Sequence, residues 1–133
     1  MNLKHMKNEQ GQTMTEFTLV VPVLLLVLFG IIQFGIIFNN YVTLTDAARA
    51  ASRKGAVSRN DPDPKGACEA AGYAAGANLQ NPGTDFVVSC SSSSGWSAGT
   101  PITVTATYPW SINLVGFTLA SGTLNTTMKE RVE

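Results

Sequence analysis

Three sets of residues in this chain could do chemistry: a single histidine, His5; a single pair of cysteines, Cys68 and Cys90; and a carboxylate, Glu16, standing just ahead of a long uncharged run. His5 lies alone near the N-terminus, so a Ser-His-Asp arrangement has no base within the rest of the chain. Two cysteines and one histidine are too few for a structural zinc site, which takes four ligands of those types. Asp61 and Asp63, one residue apart, have the opening spacing of a calcium loop, but neither the loop glycine nor the closing bidentate Glu follows at the required offset. With no phosphate-binding loop either, the residues point away from catalysis and from any metal or cofactor. What is left is Glu16 and the cysteine pair.

The element that would position Glu16 runs from Phe17 to Phe38, FTLVVPVLLLVLFGIIQFGIIF, with no charge and only Thr18 and Gln33 as clearly polar members. As a helix it would be roughly 33 Å long, slightly more than a bilayer's hydrocarbon thickness of roughly 30 Å. It is apolar on every side, so a soluble protein would need far more than 133 residues to bury it. A membrane span is therefore expected. A cleaved secretory signal is a rival, with Ala48-Arg49-Ala50 as its A-x-A site, but the apolar run exceeds the length of a signal core and that site lies far beyond its end. Thr13 or Thr15 as a cap, with Glu16 in the first helical turn, would be an ordinary helix start. An ionisable group abutting a fully apolar span is nonetheless costly unless paired, which makes Glu16 a functional candidate.

The residues around that junction resemble a known pattern. Gly11-Gln12-x-x-x-Glu16-Phe17-x-Leu19-x-x-Pro22, followed by Leu24-Leu25-Leu26, Phe29-Gly30 and Gln33-Phe34-Gly35, is similar to the TadE-like family of type IV pilin-like proteins. The similarity continues through Asn40, Asp46-Ala47-Ala48-Arg49-Ala50-Ala51 and Gly55-Ala56, covering about residues 11 to 57. Members of that family are minor pilin-like subunits of tight-adherence (Flp) pilus systems. The resemblance implies a prepilin leader over residues 1–11, cut by a prepilin peptidase between Gly11 and Gln12. It also makes Glu16 the carboxylate that meets the free amine of a neighbouring subunit, which is physically sensible because the two charges are each expensive alone in lipid and tolerable together. Phe17, Pro22, Gly30 and Gly35 are then helix-packing positions. Gly30 and Gly35 do not have the four-residue spacing of GxxxG, and Pro22 frees one backbone carbonyl and bends the helix.

Beyond the span, Leu44, Ala47, Ala48 and Ala51 recur at helical spacing while Asp46, Arg49, Arg53 and Lys54 take the other side, with Gly55 as a stop. The expected organisation is a transmembrane helix over residues 12–38, its extracytoplasmic continuation over 39–57, and a small extracytoplasmic α+β domain over 58–133. The small-residue stripe needs a cover, from this chain's own domain or from another subunit. Asp63 before Pro64 predicts a helix start, with Asn81-Pro82-Gly83 as the end. Strands are expected at Asp85 to Cys90, Ile102 to Tyr108 and about Leu124 to Met128, from alternation and β-branching. Between the last two, Pro109 to Gly122 reads as an apolar loop folded over the sheet, or as an exposed docking patch carrying Trp110, Ile112, Leu114, Val115, Phe117 and Leu119. The fold class is α+β: a long N-terminal helix, one short helix and a small antiparallel sheet of about three strands, as in pilin-related proteins.

Charge does not orient the chain, since Lys4 and Lys7 on one side of the span face Arg49, Arg53 and Lys54 on the other. A bridge between Cys68 and Cys90 would staple a domain otherwise marginal at this size, and it would require an oxidising compartment, which favours the N-terminus inside. Two buried free thiols are the alternative. Nine basic and nine acidic residues cancel, and residues 60–133 hold three basic against six acidic, which argues against nucleic acid as a partner. The expected function is non-catalytic: a minor pilin or pseudopilin whose partners are the membrane, the prepilin peptidase, other pilin subunits and the assembly machinery, with no small-molecule substrate. The alternative is a signal-anchored extracytoplasmic binding module.

Overall fold

A computed structural model describes residues 6–114 and 116–133; His5, the first residues of the expected leader and Val115 lie outside the described residues. The chain is α+β, with the order α1 (Met6–Val57), α2 (Pro64–Ala75), β1 (Val87–Ser92), β2 (Pro101–Leu114) and β3 (Phe117–Arg131). It divides into two compact units, Met1–Ile36 and Ile37–Glu133.

The described residues of the first unit are all helical. α1 is already helical at Met6, upstream of the start at residue 12 expected for the transmembrane helix, because the residues ahead of the span are mostly good helix formers. Thr13 and Thr15 lie inside the helix and are therefore not caps, and Thr15 and Thr18 bond within it. Their hydroxyls donate back to the carbonyls of Gly11 and Met14, at 2.8 Å each, as threonines inside a helix do. From Phe17 to Phe38 the large apolar side chains are exposed apart from Val21 and Ile37, which are half-buried, and none of the most apolar window is buried by protein. This is a helix long and apolar enough to cross a membrane.

The second unit is built on the C-terminal part of α1. Leu44, Ala47, Ala48 and Ala51 are fully buried there, so the stripe is covered by the chain's own sheet and α2. The sheet is antiparallel in the order β1-β2-β3. Its buried face presents Val88 and Cys90 from β1 and Ile102, Val104 and Ala106 from β2, with Ser89 and Ser91 turned outward, the period of two that the sequence carries. The alanines and glycines of the helices let sheet and helix approach closely. A Cβ on Gly55 would sit 2.7 Å from Ile102 Cδ1, and one on Gly76 would sit 2.5 Å from the Phe86 ring.

Two expectations about glycine and proline change on this account. Gly55 does not stop α1, which runs on to Val57; its missing side chain makes room for β2, and its carbonyl accepts from Trp96 Nε1 at 2.9 Å. α2 ends at Ala75, earlier than Asn81-Pro82-Gly83, because Gly76 is the residue against which Phe86 packs. Its start is as read: Asp63 caps by accepting from Gly66 N–H at 3.0 Å, with Pro64 in the first turn. Gly76→Ala should consequently cost about 1–3 kcal/mol through overpacking on Phe86. Urea unfolding of the detergent-solubilised protein would show this as a lower midpoint with unchanged slope.

The apolar stretch from Pro109 to Gly122 is not a loop. β2 continues through it to Leu114, turns within two residues at Gly116 (φ +87°), and returns as β3 from Phe117. The alternation of Trp110, Ile112 and Leu114 with Ser111 and Asn113 is that of a strand. Pro109 is tolerated there because β1 pairs with β2 only from Ile102 to Thr107, so β2 is an edge strand on that side at Pro109.

Candidate functional site

The junction ahead of the apolar run is positioned by α1 alone. Gly11, Gln12, Glu16 and Phe17 all lie within the helix and are exposed, with Phe17 70% accessible. Gly11 is a local weak point, since glycine inside a helix costs roughly 1 kcal/mol relative to alanine, and nothing lies within 4 Å of a Cβ placed there. Glu16 stands a full ten residues past Met6, beyond the first turn where the helix dipole would favour a carboxylate. Among the described side chains it has no ion-pair partner.

Of the other span positions, Pro22 is exposed within α1, which continues through it, and Gly30 and Gly35 meet no neighbour among the described residues. The helix therefore leaves its whole apolar circumference to lipid or to other helices.

Cys68 of α2 and Cys90 of β1 are brought together: they are joined as a disulfide, their Cα atoms 6.4 Å apart, and both are buried. The bridge is flanked by polar links from α2 to the free edge of β1. Cys90 N–H donates to Glu69 Oε1 at 3.2 Å, and Val88 N–H donates to Tyr73 Oη at 3.3 Å. α2 thus covers one edge of the sheet, which would otherwise expose unpaired amides.

One ion pair fixes the end of α1. Lys54 Nζ donates to Asp61 Oδ2 at 2.9 Å, and Asp61 N–H donates to the Ser58 carbonyl at 3.0 Å. The Lys54 hydrogen bond holds the Asp61 carboxyl below the usual carboxylate range, and a side-chain hydrogen bond with Ser58 adds to it against a smaller opposing effect of burial. Because the folded value lies below the unfolded one, the stabilisation is present above about pH 4 and is lost as pH falls through the lowered value. Asp61→Asn should be less stable than the parent at neutral pH, and the gap should close as unfolding is measured at successively lower pH.

Among the described residues no group of three or more His, Cys, Asp or Glu could hold a metal ion. The features that the sequence did not reveal are the close approaches at Gly55 and Gly76 and the length of the β2–β3 hairpin. The last was signalled by the unbroken alternation from Ile102 to Leu114.

Helix and domain together define a class: among the described residues, one N-terminal helix long and apolar enough to cross a membrane, followed by a small disulfide-linked α+β domain. Within it, residues 11–53 match the model of the TadE-like protein family, a match that starts at Gly11 and stops short of α2 and the sheet. Comparison with curated proteins and with solved structures gives no match for the chain.

Proposed function

We propose that the protein is a minor pilin or pseudopilin of a tight-adherence pilus or a related secretion filament, stored in the cytoplasmic membrane by α1 and without catalytic activity of its own. The observation that carries this is the junction: Gly11, then Glu16, then an apolar helix with no cover from its own chain, at the start of the TadE-like match. In this reading a prepilin peptidase cuts between Gly11 and Gln12 on the cytoplasmic side. The new amine of one subunit then meets Glu16 of its neighbour within a bundle of spans, where Phe17, Pro22, Gly30 and Gly35 form the packing surface. Ion pairing in lipid sets the register between helices, because a misregistered pair leaves both charges unmatched. The folded domain lies outside the membrane, the side on which the Cys68–Cys90 bridge is stable.

The test is the intact mass and N-terminal peptide of the protein isolated from its native membrane. Loss of residues 1–11, leaving Gln12 first, is the expected result. A full-length chain would overturn the processing step and leave a signal-anchored module.

A further inference from the structure

The β2–β3 hairpin outruns its own sheet. β1 accompanies β2 only from Ile102 to Thr107, while β2 and β3 remain paired to Leu114 and Phe117, so the sheet is two strands wide from Tyr108 to the turn. A two-stranded ribbon is marginal in water without something to pack on. Its two faces differ. Trp110, Ile112 and Leu114 continue the face on which Ile102, Val104 and Ala106 are buried, whereas Ser111 and Asn113 are exposed on the other. Past the turn, Phe117 is 76% and Leu119 64% accessible. No charged residue occurs between Asp85 and Lys129.

The close contacts of the domain show which way this arm runs. Gly55 meets Ile102; Gly72 meets both Ala51 and Val88, the partner of Ala106; Gly76 meets both Ala47 and Phe86, one residue beyond the pairing of Val87 with Thr107. As β2 advances from Ile102 to Tyr108, the residues of α1 beside it retreat from Gly55 to Ala47. β2 therefore runs in the opposite sense to α1 but obliquely, since about 20 Å of strand spans about 12 Å of helix. An equal further step takes β2 from Tyr108 to Leu114 and α1 from Ala47 to Asn39, so the turn reaches about the level at which the uncharged run of α1 ends, at Phe38.

We propose that the hairpin tip is a second membrane contact, lying in the interfacial layer of the bilayer that α1 spans, on the side where the domain is folded. The inference rests on the reading of Phe17–Phe38 as a span. Lipid is the occupant that the residues fit: the tip combines aliphatic side chains with Phe117 and with Trp110, whose ring and N–H suit a headgroup boundary, and carries no charge to desolvate. Its place beside Asn39 is where that boundary falls.

The full chain, reconstituted in phosphatidylcholine–phosphatidylglycerol vesicles, tests this with an environment-sensitive fluorophore on one introduced cysteine at a time, since Cys68 and Cys90 are bridged. The sites are Leu119→Cys at the tip, Leu25→Cys in the span and Ser94→Cys at the opposite end of the domain. The expected result is a blue shift and loss of fluorescence with spin-labelled lipid at positions 25 and 119, and no loss at 94. Quenching at 25 but not at 119, whether 119 is reached by aqueous iodide or shielded by a second copy, would overturn the contact and leave the anchor standing. Quenching at 94 as well would overturn the tip-on geometry, and its absence at 25 would remove the membrane reading beneath it.

Discussion

Glu16→Ala is expected to leave the protein folded and membrane-bound while removing it from assembled filaments. α1 does not depend on this carboxylate: Glu16 lies past the first turn and makes no ion pair among the described side chains. Even after cleavage at Gly11, when Glu16 would be the fifth residue and just past the first turn, its effect on the isolated helix is at most about 0.3–1 kcal/mol. Inside a bundle of spans the scale is different. A neighbour's ammonium left without a counter-charge at membrane depth costs about 2.5–3.5 kcal/mol, or about two orders of magnitude in incorporation. Glu16→Gln keeps the shape and a hydrogen bond but loses the charge, so it should fall between the two. The measurement is the amount of this subunit in sheared filaments relative to the amount in membranes. Wild-type incorporation of Glu16→Ala would remove the pairing role while leaving the span untouched.

What the sequence made legible is what depends on short-range pattern. The uncharged run, the Asp63-Pro64 helix start and the alternation through Ile102, Val104 and Ala106 each state their structure locally, and all three elements are present. The stripe of Leu44, Ala47, Ala48 and Ala51 announced that it would be covered without saying by what. Misreadings arose where a residue's local preference is overridden at a distance. Gly55 is a helix stop by propensity but sits under Ile102, and Gly76 ends α2 because Phe86 arrives from a separate part of the chain. Pro109 breaks a strand by rule, yet β1 has already ended there, so no ladder on that side is interrupted. At the junction, Gly11 and Glu16 were legible as residues, while their position inside α1 rather than at its start was not. The helix formers ahead of Gly11 extend α1 upstream to Met6.

The largest expected effect on stability comes from the bridge. Cys68 and Cys90 are separated by 22 in sequence, and closing that loop contributes about 3 kcal/mol in the chain-entropy model. For the unit Ile37–Glu133 this is a large share of a total of about 5–15 kcal/mol. Its position adds to the effect. Both sulfurs are buried between α2 and β1, the two elements that enclose the alanine stripe of α1, so loosening them exposes the core shared with the anchor helix. The double variant Cys68→Ala with Cys90→Ala avoids placing unpartnered hydroxyls in that core and should lower the domain's Tm by more than about 10 °C. Dithiothreitol should do the same to the parent protein and nothing to the variant. The polar links from Glu69 to Cys90 N–H and from Tyr73 to Val88 N–H hold the same edge, so α2 should remain docked at low temperature, when the bridge alone is removed. Near-UV circular dichroism of Tyr73 during the melt separates the two cases: a Tm within a few degrees of the parent would mean that these links and the apolar core hold α2 without the bridge.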